Sequence, residues 1–322
     1  MIPFHSEAIG LTESGIEAIG AELGGGICNP GTLTLKDSIA TENYARGGAG
    51  VFNGAKTTIE NSTISGNRTC GFGSAIFNGG IPHVSNILIK GNVAGSGAGI
   101  SNWAKATIVA VTFDGNRSRI TAGGVHNNSI GVMTLDSSTI SNNESAMAAG
   151  TNNWRRLVVI DSTISNNRSN HSAGIESRDV LTLSNSTVTG NAARERGGLV
   201  VQLMVHLNGV SMSNTIFAGN TAEEGPDCLG IVSSLGRNLI GIDSDCGFIP
   251  SEGDTMGTEP QPIDPRSKLG NLAANGRPTT TNALLPGSPA INASADGSCP
   301  PVDQRGVSRQ RGSSYDIGAF ER

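Results

Sequence analysis

The sequence predicts an all-β chain wound as a right-handed parallel β-helix, a three-sheet solenoid of about 24 residues per coil with an irregular C-terminal cap. The first observation behind this is a refrain, a Gly-rich apolar step ending in Asn. It occurs at Gly26-Ile27-Cys28-Asn29, Gly50-Val51-Phe52-Asn53, Ala75-Ile76-Phe77-Asn78, Gly99-Ile100-Ser101-Asn102, Gly124-Val125-His126-Asn127, Gly150-Thr151-Asn152-Asn153 and Gly174-Ile175-Glu176-Ser177. Successive copies are 24, 25, 24, 25, 26 and 24 residues apart, and a weaker eighth, Gly198-Leu199-Val200-Val201, follows. Such a period marks a stacked architecture in which each unit buries its apolar face only against its neighbours. The second observation is that each unit holds three short apolar segments with period-2 alternation, as in Leu181-Thr182-Leu183, Ser186-Thr187-Val188 and Gly198-Leu199-Val200. The third is that no helical stretch separates them, so the strands can stack only by coiling, one on the next at about 4.8 Å.

The elements follow in order. Residues 1–23 read as a degenerate first coil, since Ile9 and Leu11 stand 24 before Leu33 and Leu35, or as a capping helix through Ile9, Ile16, Ile19 and Leu23. Either would cover a strand edge that is otherwise open. Residues 24–220 are the coils. A second Asn column, Asn43, Asn67, Asn92, Asn116, Asn143, Asn167 and Asn191, follows the middle strand. Both columns read as structural, because stacked amides bond to one another and to turn backbone. Residues 221–322, where the period fades and Pro and Gly rise, read as the second cap with a tail along the helix. Of five cysteines, Cys228 and Cys246 lie in one loop-rich segment and form the expected disulfide, which points to an oxidising compartment; Cys28, Cys70 and Cys299 are left open.

The terminal segment carries a resemblance. Asp264-Pro265, Asn275-Gly276-Arg277-Pro278-Thr279, Ala283-Leu284-Leu285-Pro286-Gly287-Ser288-Pro289-Ala290-Ile291, Asp303-Gln304-Arg305-Gly306 and Asp316-Ile317-Gly318-Ala319-Phe320-Glu321 resemble the C-terminal signature of bacterial secreted β-helix proteins of the choice-of-anchor Q type. The coils look like polymorphic outer-membrane-protein and pectate-lyase-like repeats. The resemblance implies export and life outside the cell or on its surface, but no single activity. It also implies a Cys just before the final Asp-Ile-Gly-Ala-Phe-Glu, paired with the Cys of the Cys-Pro step; here that position is Tyr315.

Composition narrows the partners. A net charge of -5 lacks the basic footprint of a nucleic-acid binder, and no apolar run is long enough to span a membrane. Met1-Ile2-Pro3-Phe4-His5 lacks the basic and apolar regions of a signal peptide, so either the start has been trimmed or export is not encoded here. No zinc motif occurs, and a monomer is expected.

Chemistry is expected where the repeat varies. If Ile or Val of each step points inward, the next residue points out, giving a column Cys28, Phe52, Phe77, Ser101, His126, Asn152, Glu176, Val200 along a shallow strip. On one border stand Trp103, Lys105, Trp154, Arg155, Arg156 and Arg178; on the other Arg117, Arg119, Arg168, His171, Arg194 and Arg196. Guanidinium forks suit carboxylate or sulfate, and flat indoles suit sugar faces. The expected partner is therefore an anionic polysaccharide or cell-surface glycan, bound and, in the catalytic version, cleaved by β-elimination. His126 is the candidate base, Arg178 (or Arg155 or Arg194) the carboxylate-neutralising cation, and Asn152 the orienting group; Glu176 would bind a hydroxyl or a Ca2+ ion, the one cofactor considered. Hydrolysis fits less well, since it wants two carboxylates facing one bond. The competing reading is a non-catalytic surface stalk or adhesin, in which Arg117, Glu144 and Arg168 form only a salt-bridge ladder.

Overall fold

The computed structural model describes residues 6–9, 12–14, 22–202, 209–258, 260–263, 268–276, 279–294 and 299–322. It is a parallel β-solenoid of about 9 turns at about 24 residues per turn. A representative coil runs through Ile175–Ser177, Val180–Ser184, Thr187–Thr189 and Ala192–Ala193; each strand pairs in parallel with its equivalent one coil before, and the first three also with theirs one coil after. Inward residues alternate along each strand, as Leu181 and Leu183 or Leu157 and Val159, and merge into one buried apolar column from Leu35 to Ile240.

The coil thus has four paired segments where the apolar pattern shows three. The fourth is a short strand, two residues long in five of its seven copies and longer at Val93–Ser96 and Arg117–Thr121, whose inward residue is small, as in Ala45, Thr69, Ser145 and Ala193. It presents no large apolar side chain, so hydrophobic periodicity does not register it. Its seven strands form their own sheet from Tyr44 to Ala193.

Both Asn columns are continuous amide ladders. In the first, Nδ2 of Asn29, Asn53, Asn78, Asn102 and Asn127 donates to Oδ1 of the next Asn at 2.6–2.9 Å. In the second, each Oδ1 from Asn67 onward accepts two bonds from the coil before, from Nδ2 and from the backbone N–H, as Asn167 does from Asn143. The second ladder ends on Asp227, whose Oδ1 takes both bonds from Asn220 at 3.0 and 2.9 Å.

At the N-terminal end, Ser6–Ile9 and Thr12–Ser14 pair as strands of a first coil, with Ile9 opposite Lys36 and Thr12 opposite Ile39. The offset is therefore three residues longer than the 24-residue register of Ile9 with Leu33. A helix through Ile9 is excluded by its strand; Ile16 and Ile19 lie outside the described residues. At the other end, coil-on-coil pairing passes Asn220 and continues to Thr255–Met256. Cys228 and Cys246 are joined by a disulfide within paired strands. Beyond, Leu269–Ala273 and Thr281–Leu284 make a small antiparallel cap around a second apolar cluster with Ile317 and Phe320.

The tail then turns back along the three-residue strands of the middle coils. Gln304 Nε2 donates to Ser138 O and Thr139 Oγ1, Thr163 Oγ1 donates to Gln304 Oε1, and Ala319 N–H donates to Thr187 Oγ1. The tail lies on a different sheet from the Gly-step column.

Candidate functional site

The column forms in the expected register. Ser101, His126, Asn152 and Glu176 are opposite one another on successive coils, about 4.8 Å apart. It is not an open strip. His126 is 4% exposed, Asn152 1% and Ser101 and Glu176 0%.

The covering is local. Ahead of each Gly-rich step the chain turns sharply, in several coils at a positive φ, and folds back over the column of its own coil. At Gly97, with φ +63°, a Cβ would come within 3.0 Å of the Cβ atoms of both Ser101 and His126. Side chains of the two borders then meet above the column. Phe72 stacks on His126 at 6.4 Å between centroids and meets Trp103 edge-on at 5.7 Å; Trp103 Nε1 donates to Ser101 Oγ at 3.1 Å. Asn152 Nδ2 donates to Thr121 Oγ1 at 2.9 Å. Arg178 donates to Glu176 Oε1 through Nε and Nη2 at 3.2 and 3.0 Å, and His171 Nδ1 lies 3.8 Å from Glu176 Oε2.

The other predicted binding residues are spread around this roof and mostly engaged. Trp154 is part-exposed beneath the Arg178 guanidinium, 4.1 Å from its ring centroid. Arg155 pairs with Asp179 at 3.0 Å, Arg194 with Glu223 at 3.9 Å, and Arg196 contacts His171 at 3.0 Å and Glu224 at 3.9 Å. Arg156 is exposed at the start of a five-residue strand, in register with Val132 and Val180. His126 and Glu176 thus lie under a roof to which Trp103 and Trp154 belong, and not in an open groove. The turns that close over the column are built from small residues before each step, such as Gly97-Ala98-Gly99 and Ala148-Ala149-Gly150, which carry no hydrophobic signal. Phe72 is the covering side chain that strand alternation gave no reason to single out.

The electrostatics follow from burial. Burial, reinforced by the nearby Arg178 cation, lowers the His126 pKa from 6.5 to about 4, so its imidazole is neutral at pH 7. The unfolded chain takes up this proton below pH 6.5 and the folded one only near pH 4, so this group subtracts stability as pH falls through that window. The loss is on the order of 3 kcal/mol. In urea titrations between pH 7 and 4, wild type minus His126→Asn is expected to show this slope; parallel curves would contradict it. His126 Nδ1, Asn152 Oδ1 and Glu176 Oε2 have no hydrogen-bond partner, so the column holds proton-accepting atoms close together. Glu176 Oε1 is held by Arg178, and among the described residues no group of three His, Cys, Asp or Glu side chains is fit to hold a metal ion.

An open concavity lies one face away, on the short strands of the fourth sheet. A depression of about 390 Å³ is lined by Arg117, Arg119, Glu144, Arg168 and the small residues between them. A second, of about 190 Å³, is lined by Tyr44, Arg68, Val93 and again Arg119, so the two meet at Arg119. All four arginines are exposed. Arg117 pairs with Glu144 at 3.2 Å, while Arg68, Arg119 and Arg168 have no ion-pair partner among the described residues. Among the described residues no helix is long and apolar enough to cross a membrane. No family model, curated protein or solved structure matches this chain.

Proposed function

We propose that the protein is an extracellular β-helix module that binds an anionic polysaccharide without cleaving it, in the arginine trough of the fourth sheet. The observation that carries this is three exposed guanidinium groups, Arg68, Arg119 and Arg168, without carboxylate partners among the described residues, lining two depressions that share Arg119 in a chain whose net charge is -5. A ladder that existed only for mutual salt bridging would pair Arg168 with Glu144, and it does not. Carboxylate or sulfate groups are what guanidinium forks take best at a wet surface, where flexible charge contacts are individually weak and useful in series. Residence outside the cell rests on the terminal motifs that resemble the choice-of-anchor Q signature and on the disulfide.

The test is binding of hyaluronan, alginate, polygalacturonate and heparin oligosaccharides to the full chain by titration calorimetry. Arg68→Ser with Arg119→Ser and Arg168→Ser is expected to weaken binding about thirtyfold, at somewhat under 1 kcal/mol per exposed contact. Trp154→Ala, on the roof of the column, should leave it unchanged. If the wild type binds no polyanion, or the triple variant binds as well, the rigid-stalk reading takes over.

The convergence of His126, Asn152, Glu176 and Arg178 favours one second reading, β-elimination after the roof opens. It requires that the wild type release unsaturated uronate products and that His126→Ala not do so.

A further inference from the structure

The first residues of the strands of this fourth sheet stand opposite one another: Tyr44, Arg68, Val93, Arg117, Glu144, Arg168 and Ala192 on successive coils. From Arg68 to Arg168 every second rung is a cation, and the rungs between are neutral at Val93 and negative at Glu144. Two rungs span about 10 Å along the solenoid axis. That is the axial length of two equatorially linked pyranose rings in an extended chain.

We propose that the trough selects a linear polysaccharide carrying one anionic group per disaccharide, lying parallel to the solenoid axis, and that Glu144 is the specificity-determining residue that rejects polymers charged on every ring. This rests on the preceding reading of the trough as a polysaccharide site. An alternating polymer places its carboxylates or sulfates at Arg68, Arg117 and Arg168 and its neutral rings over Val93 and Glu144. A polyuronate in the same track must set a carboxylate against Glu144. Selection by a built-in repulsion is the usual way to separate ligands of similar shape.

The Arg117–Glu144 pair does not compete with this use. It occupies one guanidinium nitrogen, Nη2, and leaves the other N–H groups of the fork to a ligand. Both side chains are more than half exposed, at 66% and 53%, so the pair itself contributes little to folding and its loss leaves the coil intact. Arg119, which lines both depressions, lies in the track between them and gives a second cation near the Arg117 rung.

The experiment compares hyaluronan oligosaccharides, charged on alternate rings, with oligomannuronates and oligogalacturonates of equal ring number and with single-stranded DNA, all on the full-length folded chain. Wild type is expected to bind the alternating polymer at least about tenfold more tightly than the polyuronates. Glu144→Gln, which also frees Arg117 Nη2, should strengthen binding of both polymers, but polyuronate binding about five- to tenfold more than hyaluronan binding, from removal of one close like-charge contact. Val93→Arg, which fills a neutral rung, should shift preference in the same direction. Equal binding of both polymer classes, an equal effect of Glu144→Gln on both, or tighter binding of DNA overturns the spacing inference while leaving a polyanion trough standing. Binding of none of these overturns both.

Discussion

Asn167→Ala is expected to destabilise the solenoid by about 3–5 kcal/mol, read as a shift of the urea midpoint at unchanged pH. The side chain is 0% exposed and makes four bonds. Its Oδ1 accepts the backbone N–H and Nδ2 of Asn143, both at 3.0 Å; its Nδ2 donates to Ile140 O at 3.0 Å and to Asn191 Oδ1 at 2.9 Å. Alanine removes all four at a depth water does not reach, and each orphaned group costs about 1–3 kcal/mol. Asn167→Asp separates ladder chemistry from packing. It keeps both acceptor bonds to Asn143 but sets a carboxylate oxygen against Ile140 O and Asn191 Oδ1, two acceptors. It should be no better than alanine at neutral pH and should recover as the carboxyl protonates. Asp227 shows why position matters. At the end of the ladder its Oδ1 serves Asn220 while Oδ2 accepts the Ile242 N–H, so a residue with acceptors alone suffices there. A loss under about 1 kcal/mol for both variants would mean that the ladder is a consequence of stacking and not a support of it.

What could be read from the sequence divides along the same line. The refrain and the two Asn columns specify coil length, register and ladders, because identical residues stacked at one position can be satisfied only by each other. The direction of His126, Asn152 and Glu176 was also legible, since alternation assigns it. Their burial was not. Alternation says which way a side chain points and nothing about what the preceding turn places over it, and that turn is built from Gly, Ala and Ser, which carry no hydrophobic signal. The arginine trough was half legible. Arg117, Arg119 and Arg168 stood out as charge in variable turns, while Arg68, Tyr44 and Val93 join them only once the fourth strand of the coil is recognised as a paired rung. The contacts of the tail were beyond reach, for they link residues 148 apart with no pattern in common.

One of those contacts supports the second large effect. Arg309→Met is expected to cost about 3–5 kcal/mol near pH 8, and the deficit should shrink as pH is lowered toward 6. Arg309 has a fully buried side chain; its Nη2 bonds Asp161 Oδ1 at 2.6 Å and its Nη1 lies 3.7 Å from Glu321 Oε2, clasping the tail to the coils. Methionine fills much of the space but leaves two buried carboxylates without their cation. In the native protein burial already outweighs the pull of Arg309 and raises the Asp161 pKa from 3.8 to about 6. Without Arg309 it must rise further. A carboxyl raised in the folded state withholds stability above its folded pKa and restores it as pH falls and the proton binds, which fixes the sign. In the wild type this group gains stability on acidification from about pH 6 to 4, while His126 loses it over nearly the same window, so the two largely cancel. The variant therefore has to be read as a difference from wild type at each pH. Asp161→Asn is the matched control: Asp161 sits at φ +43°, which Asn tolerates, and the amide oxygen can still accept from Arg309, whose charge remains opposite Glu321. It should cost less than Arg309→Met and show no recovery at low pH. Limited proteolysis locates the damage, since the unclasped segment 299–322 should be cut before the coils. A deficit that stays constant from pH 8 to 6, or coils that are cut as early as the tail, would show that Arg309 acts through packing and not through charge.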